Sequence, residues 1–338
     1  GNIGLQVQYT DQSSASRVWD NSQPAGSNIR PYENGKTYTD YLPSMNLAFS
    51  LANDQTLRVA LARQVARARV DQLRASVEFG VDFATGKPGA SGGNPLVDPW
   101  RANAFDISWE KYFGSKAYIA AAYFYKDLRS YIYTQTRDGY DFSELLVGYV
   151  PPPGSAPVQT TGTMTAPFNG EGGMLQGLEL SASLPLDMFS DALSGFGFVA
   201  SASFTDSNIE IRDPESSSSV GGGGISLPGL SDQVYNLTAY YERNGFEARI
   251  NNRRRSDFIG EIGNFSGNRT LRYVVGENIT DAQIGYAFGS GSLEGLSILL
   301  QVSNLTNESY RTYAGTKDRP LETIEWGRTV LLGVNYKF

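Results

Sequence analysis

The side chains best suited to chemistry fall mostly in long polar stretches of the chain. Trp19, Tyr140, Tyr149, Tyr310, Tyr313 and Trp326 offer planar faces that would stack on a sugar ring or another flat ligand. The same rings would also serve as loop packing or as an interfacial belt. Arg253-Arg254-Arg255, with Arg269 and Arg272, supply guanidiniums that pair well with carboxylate or phosphate. Their other partners would be Asp257 and Glu261, or the phosphates of a membrane surface. Asp318, Glu322 and Glu325 would meet a cation, sugar hydroxyls or plain solvent. Glu110, Glu179 and Glu247 are spaced as inward residues of strands, where paired carboxylates would hydrolyse a glycosidic bond.

Other chemistries are absent from the composition. The 338 residues include no cysteine and no histidine. That removes disulfides, thiolate nucleophiles, Ser-His-Asp relays and Cys- or His-ligated metals. No cofactor and no metal site is expected. A net charge of −7 disfavours nucleic acid as a partner, because phosphate binding needs a concentrated positive field.

The elements that must hold these residues alternate with period two. Ile3, Leu5, Val7 and Tyr9 interleave with Gly4, Gln6, Gln8 and Thr10. Leu178, Leu180, Ala182 and Leu184 interleave with Glu179, Ser181 and Ser183, and Phe196 to Thr205 repeats the pattern. Such segments are strands with one apolar and one polar face. The connections alternate as well. Ala52 to Gln55, Gly114 to Lys116, Leu186 to Gly195, Arg243 to Gly245 and Gly289 to Ser292 are short. Between them lie long stretches: Asp11 to Thr37, Arg67 to Pro99, Thr134 to Gly170, Ser207 to Asp232, Arg254 to Arg269 and Thr306 to Gly327. About twelve strands are expected, with both chain ends on the short-turn side. A short helix is expected between Arg69 and Phe79. Pro151-Pro152-Pro153-Gly154 resists regular structure, and Ser216 to Gly224 reads as a flexible tract.

Short turns at one end and long loops at the other are the pattern of an outer-membrane barrel. The longest apolar run, Ala117 to Tyr125, is far short of the about 20 residues of a spanning helix. A barrel strand crosses with about 10 residues, every second one apolar. The last strand places Val330, Leu332, Val334, Tyr336 and Phe338 on one face. Tyr336 and the terminal Phe338 form an assembly signal of the kind read by the barrel-assembly machinery. Gly1-Asn2-Ile3-Gly4 has neither the basic start nor the apolar stretch of a signal peptide. The chain is therefore expected to be processed, or to be a piece of a longer one.

Several motifs resemble one family. Tyr41-Leu42-Pro43-Ser44-Met45-Asn46-Leu47 looks like a Leu-Pro-Ser-x-Asn-Leu strand. Gly93-Asn94-Pro95, then Pro99-Trp100-Arg101-Ala102-Asn103 and Phe105-Asp106-Ile107-Ser108, looks like the element that precedes a barrel strand. Gln176-Gly177-Leu178-Glu179-Leu180, Val302-Ser303-Asn304-Leu305-Thr306-Asn307 and Gly327-Arg328 complete the order. Together they resemble the C-terminal half of a TonB-dependent outer-membrane receptor. The resemblance implies an all-β fold, a transmembrane antiparallel β-barrel. Residues 1–338 would supply the C-terminal part of 22 strands, with the plug domain and N-terminal strands absent.

The resemblance also implies function. Such receptors take up a large nutrient, an oligosaccharide or a ferric siderophore, across the bacterial outer membrane. The TonB complex drives uptake through the plug, and no bond is made or broken. Implied partners are outer-membrane lipid and lipopolysaccharide, the barrel-assembly machinery, and TonB by way of the missing plug region. Tyr140, Tyr149, Arg254, Arg269, Tyr310, Tyr313 and Trp326 become candidate ligand contacts. Two alternatives stand beside this: a passive porin closing a small barrel of about twelve strands, and a secreted β-rich glycoside hydrolase.

Overall fold

The computed structural model describes residues 1–19, 29–114, 116–170, 172–209, 225–265 and 268–337. In chain order the first strands are β1 Asn2–Trp19, β2 Ile29–Leu51, β3 Gln55–Ala66, β4 Val77–Val81, β5 Pro88–Gly92, β6 Trp100–Phe113 and β7 Ala117–Asp141. Then come β8 Thr161–Gly170, β9 Gly173–Pro185, β10 Phe196–Ile209, β11 Gln233–Arg243, β12 Phe246–Arg255 and β13 Phe258–Phe265. The last are β14 Asn268–Val274, β15 Asn278–Ala287, β16 Leu296–Ser303, β17 Tyr310–Ala314, β18 Pro320–Ile324 and β19 Thr329–Tyr336.

Twelve of them make a continuous antiparallel wall in the order β1-β2-β3-β6-β7-β9-β10-β11-β12-β15-β16-β19. This is the number the alternation predicts. Every short connection joins wall neighbours at one end. Tight turns suffice there: Asn53 and Asp54 (φ 60° and 54°) and Asn244 and Gly245 (φ 52° and 82°) take the left-handed conformations of a two-residue hairpin. The expected link from Leu186 to Gly195 consists of two short 3-10 turns.

The register sorts side chains into two faces. Leu184, Phe198, Ala239, Ile250, Ala282, Val302 and Val330 form one row across the wall. One step along, Val199, Thr238, Asn251 and Asp281 form a mainly polar row on the other face. The apolar face is uncovered: Leu5 is 64% exposed, Leu332 71% and Ile250 48%. An apolar surface this continuous belongs against hydrocarbon, not water. Among the described residues no helix is long and apolar enough to cross a membrane.

On the polar face a glycine solves a packing problem. Tyr240 stands opposite Gly197, and a Cβ there would lie 2.2 Å from the phenol ring. The ring therefore lies across the bare backbone.

The structure differs from the sequence expectations at three places. Much of the long stretches is strand: β1 runs on to Trp19, and its partner β2 begins at Ile29. Backbone pairing continues above the apolar band because each hairpin arm stabilises the other. The helix expected between Arg69 and Phe79 is a single turn closed by Leu73 N–H to Arg69 C=O, 3.2 Å. The chain then leaves it, with Ala75 N–H donating to Ser14 Oγ at 2.9 Å, and enters β4 at Val77. Finally, β1 and β19 stand at opposite ends of the strand order, and among the described residues no pairing joins them. The twelve strands do not close the small barrel of the porin alternative.

The remaining strands build an upper tier on the long-connection side. β4, β5 and β8 form a sheet attached to β7, including a parallel pairing between β5 and β8. β13, β14, β17 and β18 form a second sheet. The expected flexible tract from Ser216 to Gly224 lies outside the described residues.

Candidate functional site

A cavity of ≈ 1470 Å³ opens in the upper tier. One wall is the far end of the β1–β2 hairpin, with Arg17, Arg30, Tyr32 and Asn34. The register places Arg17 opposite Pro31 and Val18 opposite Arg30, so the two arginines are one rung apart and leave opposite faces of the hairpin, and both are among the residues around the cavity. The floor is the sheet of β4 and β8, with Phe79, Met164 and Phe168. The third side is the end of β7, with Tyr140 and Asp141, and the turn after it, with Glu144 and Tyr149.

The floor is rigid because it has its own core. Phe142 is fully buried and packs with Met164, Ala166, Phe79 and Leu145. Its ring lies 5.8 Å from Phe79 and 5.1 Å from Tyr140. Phe79 meets Tyr149 edge-on at 6.2 Å and 85°. Edge-to-face rings of this kind add about 0.5–1.5 kcal/mol beyond area burial. Arg137, just before the turn, lies over the Phe168 ring at 3.6 Å. Pro151-Pro152-Pro153-Gly154 runs irregularly, as expected, between the turn and β8.

The structure separates the seven candidate contacts. Tyr140 and Tyr149 come together on the cavity. Tyr310 and Tyr313 lie on β17 in the second upper sheet, and Trp326 follows β18, 74% exposed. Tyr313 is only 8% exposed and stacks on Tyr273 at 5.0 Å and 8°. Its hydroxyl donates to Asp257 Oδ2 at 3.1 Å, and Lys317 Nζ sits 2.8 Å from the same oxygen. Burial, then the Asp257 partner, pushes the phenol up to about 12. Burial works against ionisation of Asp257. Lys317, the Gly276 N–H and the Tyr313 hydroxyl outweigh it and hold the carboxyl below its usual range. This cluster fastens the second sheet to the wall.

Arg254 stands in the row of Tyr235 and Asn278, on the same face as the apolar side chains. Arg253 points the other way and pairs with Asp281 at 3.7 Å. Arg272 pairs with Glu322. The side chains of Trp19, Glu261 and Arg269 lie outside the described residues, as does Phe338; Tyr336 is exposed at the end of β19. Glu110, Glu179 and Glu247 do share the polar face, but on β6, β9 and β12, which are not neighbours. Glu110 is bound to Arg58 at 3.0 Å and Glu247 accepts from Gln283 at 3.1 Å. Among the described residues no group of three acidic side chains could hold a metal ion.

Sequence reading missed Arg17, Arg30, Tyr32, Phe79 and Phe83 as cavity residues. Their aromatic and basic character was visible, but only the β5–β8 pairing and the hairpin's length bring them together.

Comparison with known proteins adds the family. A family model described as "TonB dependent receptor-like, beta-barrel" matches residues 1–305. No curated protein matches the chain in sequence. Among solved structures, the siderophore receptor PiuA from Acinetobacter baumannii is 15% identical, with a TM-score of 0.60, over 99% of this chain and 40% of that one. A ferric enterobactin receptor, PfeA, from Pseudomonas aeruginosa is 14% identical, with a TM-score of 0.63, over 99% and 51%. The siderophore receptor PirA from Acinetobacter baumannii is 13% identical, with a TM-score of 0.58, over 99% and 46%. At these identities the likeness is one of fold, and the chain spans about half of each relative or less.

Proposed function

The chain belongs to the TonB dependent receptor-like β-barrel family, whose barrels lie in the Gram-negative outer membrane, and on that premise we propose that it is the C-terminal barrel region of an energy-coupled nutrient receptor. The twelve-stranded wall supplies the lipid-facing surface and one side of a lumen. Further strands of the same receptor pair with β1 and β19, since an open edge in hydrocarbon leaves backbone groups unsatisfied. A plug domain seated against the polar face couples to TonB.

The short turns face the periplasm and the upper tier faces the medium. The ligand, an oligosaccharide or a ferric siderophore, docks in the upper-tier cavity between the β1–β2 hairpin and the aromatic floor. Tyr140 and Tyr149 contact it. Arg254 faces lipopolysaccharide. Tyr310, Tyr313 and Trp326 act through the second sheet. No bond is made or broken, and the polar-face carboxylates of Glu110 and Glu247 pair with wall residues.

The observation that carries this reading is a two-faced wall, apolar outside, with a large cavity at the end away from the tight turns. The test is uptake by cells carrying the full-length receptor, with and without TonB. Accumulation of a ferric siderophore or a maltodextrin only when both are present supports it. Equal accumulation without TonB overturns it.

A further inference from the structure

One connection on the tight-turn side differs from its counterparts. We propose that the link from Leu186 to Gly195 is a shallow membrane anchor, seated among zwitterionic phospholipid head groups of the leaflet on that side. The inference rests on the lipid-facing wall read above, and not on the ligand or the cavity.

Four observations carry it. First, the link is apolar and uncovered. Phe189 is 67% exposed, Met188 40% and Leu193 38%. The hairpins at Asn53-Asp54 and Asn244-Gly245 turn without any apolar side chain. The connection from β15 to β16 exposes one large apolar side chain, Leu293. Exposed apolar side chains gathered in one place mark an interaction surface.

Second, the patch continues the lipid face. Leu184 and Phe198 stand opposite each other in the apolar row. Two residues before Phe198, Phe196 shares that face, and its ring packs on Tyr241 at 4.5 Å. Leu186 carries the face of Leu184 into the link. Side chains three apart eclipse in a 3-10 turn, so Phe189 leaves the same side as Leu186.

Third, the link satisfies much of its own backbone. Phe189 N–H donates to Leu186 C=O at 3.0 Å, Leu193 N–H to Ser190 C=O at 2.9 Å and Ser194 N–H to Asp191 C=O at 3.1 Å. Ser190 Oγ accepts from Ala192 N–H at 3.3 Å. A segment that leaves water for the edge of the hydrocarbon needs such internal partners.

Fourth, its charge sets the depth and the surface. Asp187 and Asp191 are its only charged residues. Carboxylates stay out of hydrocarbon, which keeps the link shallow. An anionic surface repels them, whereas the ammonium of a zwitterionic head group pairs with them.

The experiment places full-length receptor in nanodiscs of phosphatidylcholine brominated either near the head group or near the chain end. Emission of the Phe189→Trp variant is read as its difference from the parent receptor. It should fall about twofold with bromine near the head group and less with bromine near the chain end, because interfacial segments sit about 5–10 Å into the boundary. Replacing half of the lipid by phosphatidylglycerol brominated at the same place should weaken the quenching. Asp187→Asn with Asp191→Asn should restore it. No quenching of Phe189→Trp by lipid, with the ring in water or under another protein segment, overturns the anchor. Stronger quenching from the chain end overturns its shallow depth, and equal quenching in the two lipids overturns the head-group preference. Phe198→Trp, on the lipid face by register, is the control. If it is quenched while Phe189→Trp is not, the anchor fails alone. If neither is quenched, the lipid-facing wall fails with it.

Discussion

The wall and the upper tier solve the same problem, holding strands together, by opposite means. Below its upper ends the wall holds no cluster of buried hydrophobic side chains among the described residues. Between β9 and β19 its strands expose apolar side chains on one face and polar ones on the other, and their stability comes from backbone ladders and surrounding lipid. The upper tier carries its own interior. The large side chains buried almost completely are Tyr131, Phe142, Ile209, Val97, Thr312, Pro88 and Pro99. All lie in the upper tier or at the upper ends of wall strands. Residues in contact with water must pack to stay ordered, whereas residues in lipid need only pair. A ligand site requires the first kind of order.

The contrast can be broken from either side. The largest effect should come from Phe142→Ala, which empties the centre of the β4–β8 core. It should cost the tier about 3–5 kcal/mol. Protease nicking between Asp141 and Thr161 should appear while the wall keeps its heat-resistant mobility on gels. Simultaneous loss of both would show that tier and wall fold as one unit.

Next, Leu180→Arg on the lipid face should cost about 2–4 kcal/mol near the bilayer midplane, and Ser181→Arg on the inner face close to none. Urea titration in bilayers measures both. Equal costs would reverse the assignment of faces.

A smaller effect should follow Asp257→Asn, which removes the negative charge and one of the two acceptor oxygens used by Tyr313, Lys317 and Gly276. Hydrogen bonds to a charged group are worth about 1.5–3 kcal/mol. Hydrogen exchange should quicken across β13, β14, β17 and β18 and not in β9 to β11. The pH dependence has a definite sign. Asp257 is depressed, so its contribution is full above the usual carboxylate value of about 3.9 and fades as pH falls through the folded value. Tyr313 is raised, so its contribution holds below about 10 and fades as pH climbs through about 12. In the Asp257→Asn variant, the acid limb of exchange should vanish.

The smallest effect should be Arg249→Gln. Arg249 pairs with Glu242 at 2.8 Å, but both side chains are about half exposed. The loss should stay under about 1 kcal/mol, measured by the same urea titration.

The wall was legible because its code is local. Alternation within each segment and the spacing of Asn53-Asp54 and Asn244-Gly245 state where strands turn. Twelve strands and every short turn follow from that alone. The tier was less legible because its order is nonlocal. The sequence around Arg69 to Phe79 has a helical look. Contacts from Ser14 and Asn94, distant in the chain, pull it into one turn and a strand. Tyr140 and Tyr149 could be picked as exposed rings, yet Phe79 and Phe83 become their neighbours only through the β5 to β8 pairing. Tyr313 looked like a free stacking ring. It is clamped between Tyr273 and Asp257, a pairing that no spacing announces.

The bare backbone at Gly197 bears on the clearance of the bore. A phenol lying flat takes roughly 3.5 Å of radius, about one van der Waals thickness, where an upright ring would project its full length. A methyl group at that position would tip Tyr240 inward and leave less room for a passing solute. In a closed barrel, the width of the passage would thus be set partly by the absence of one carbon atom on the neighbouring strand.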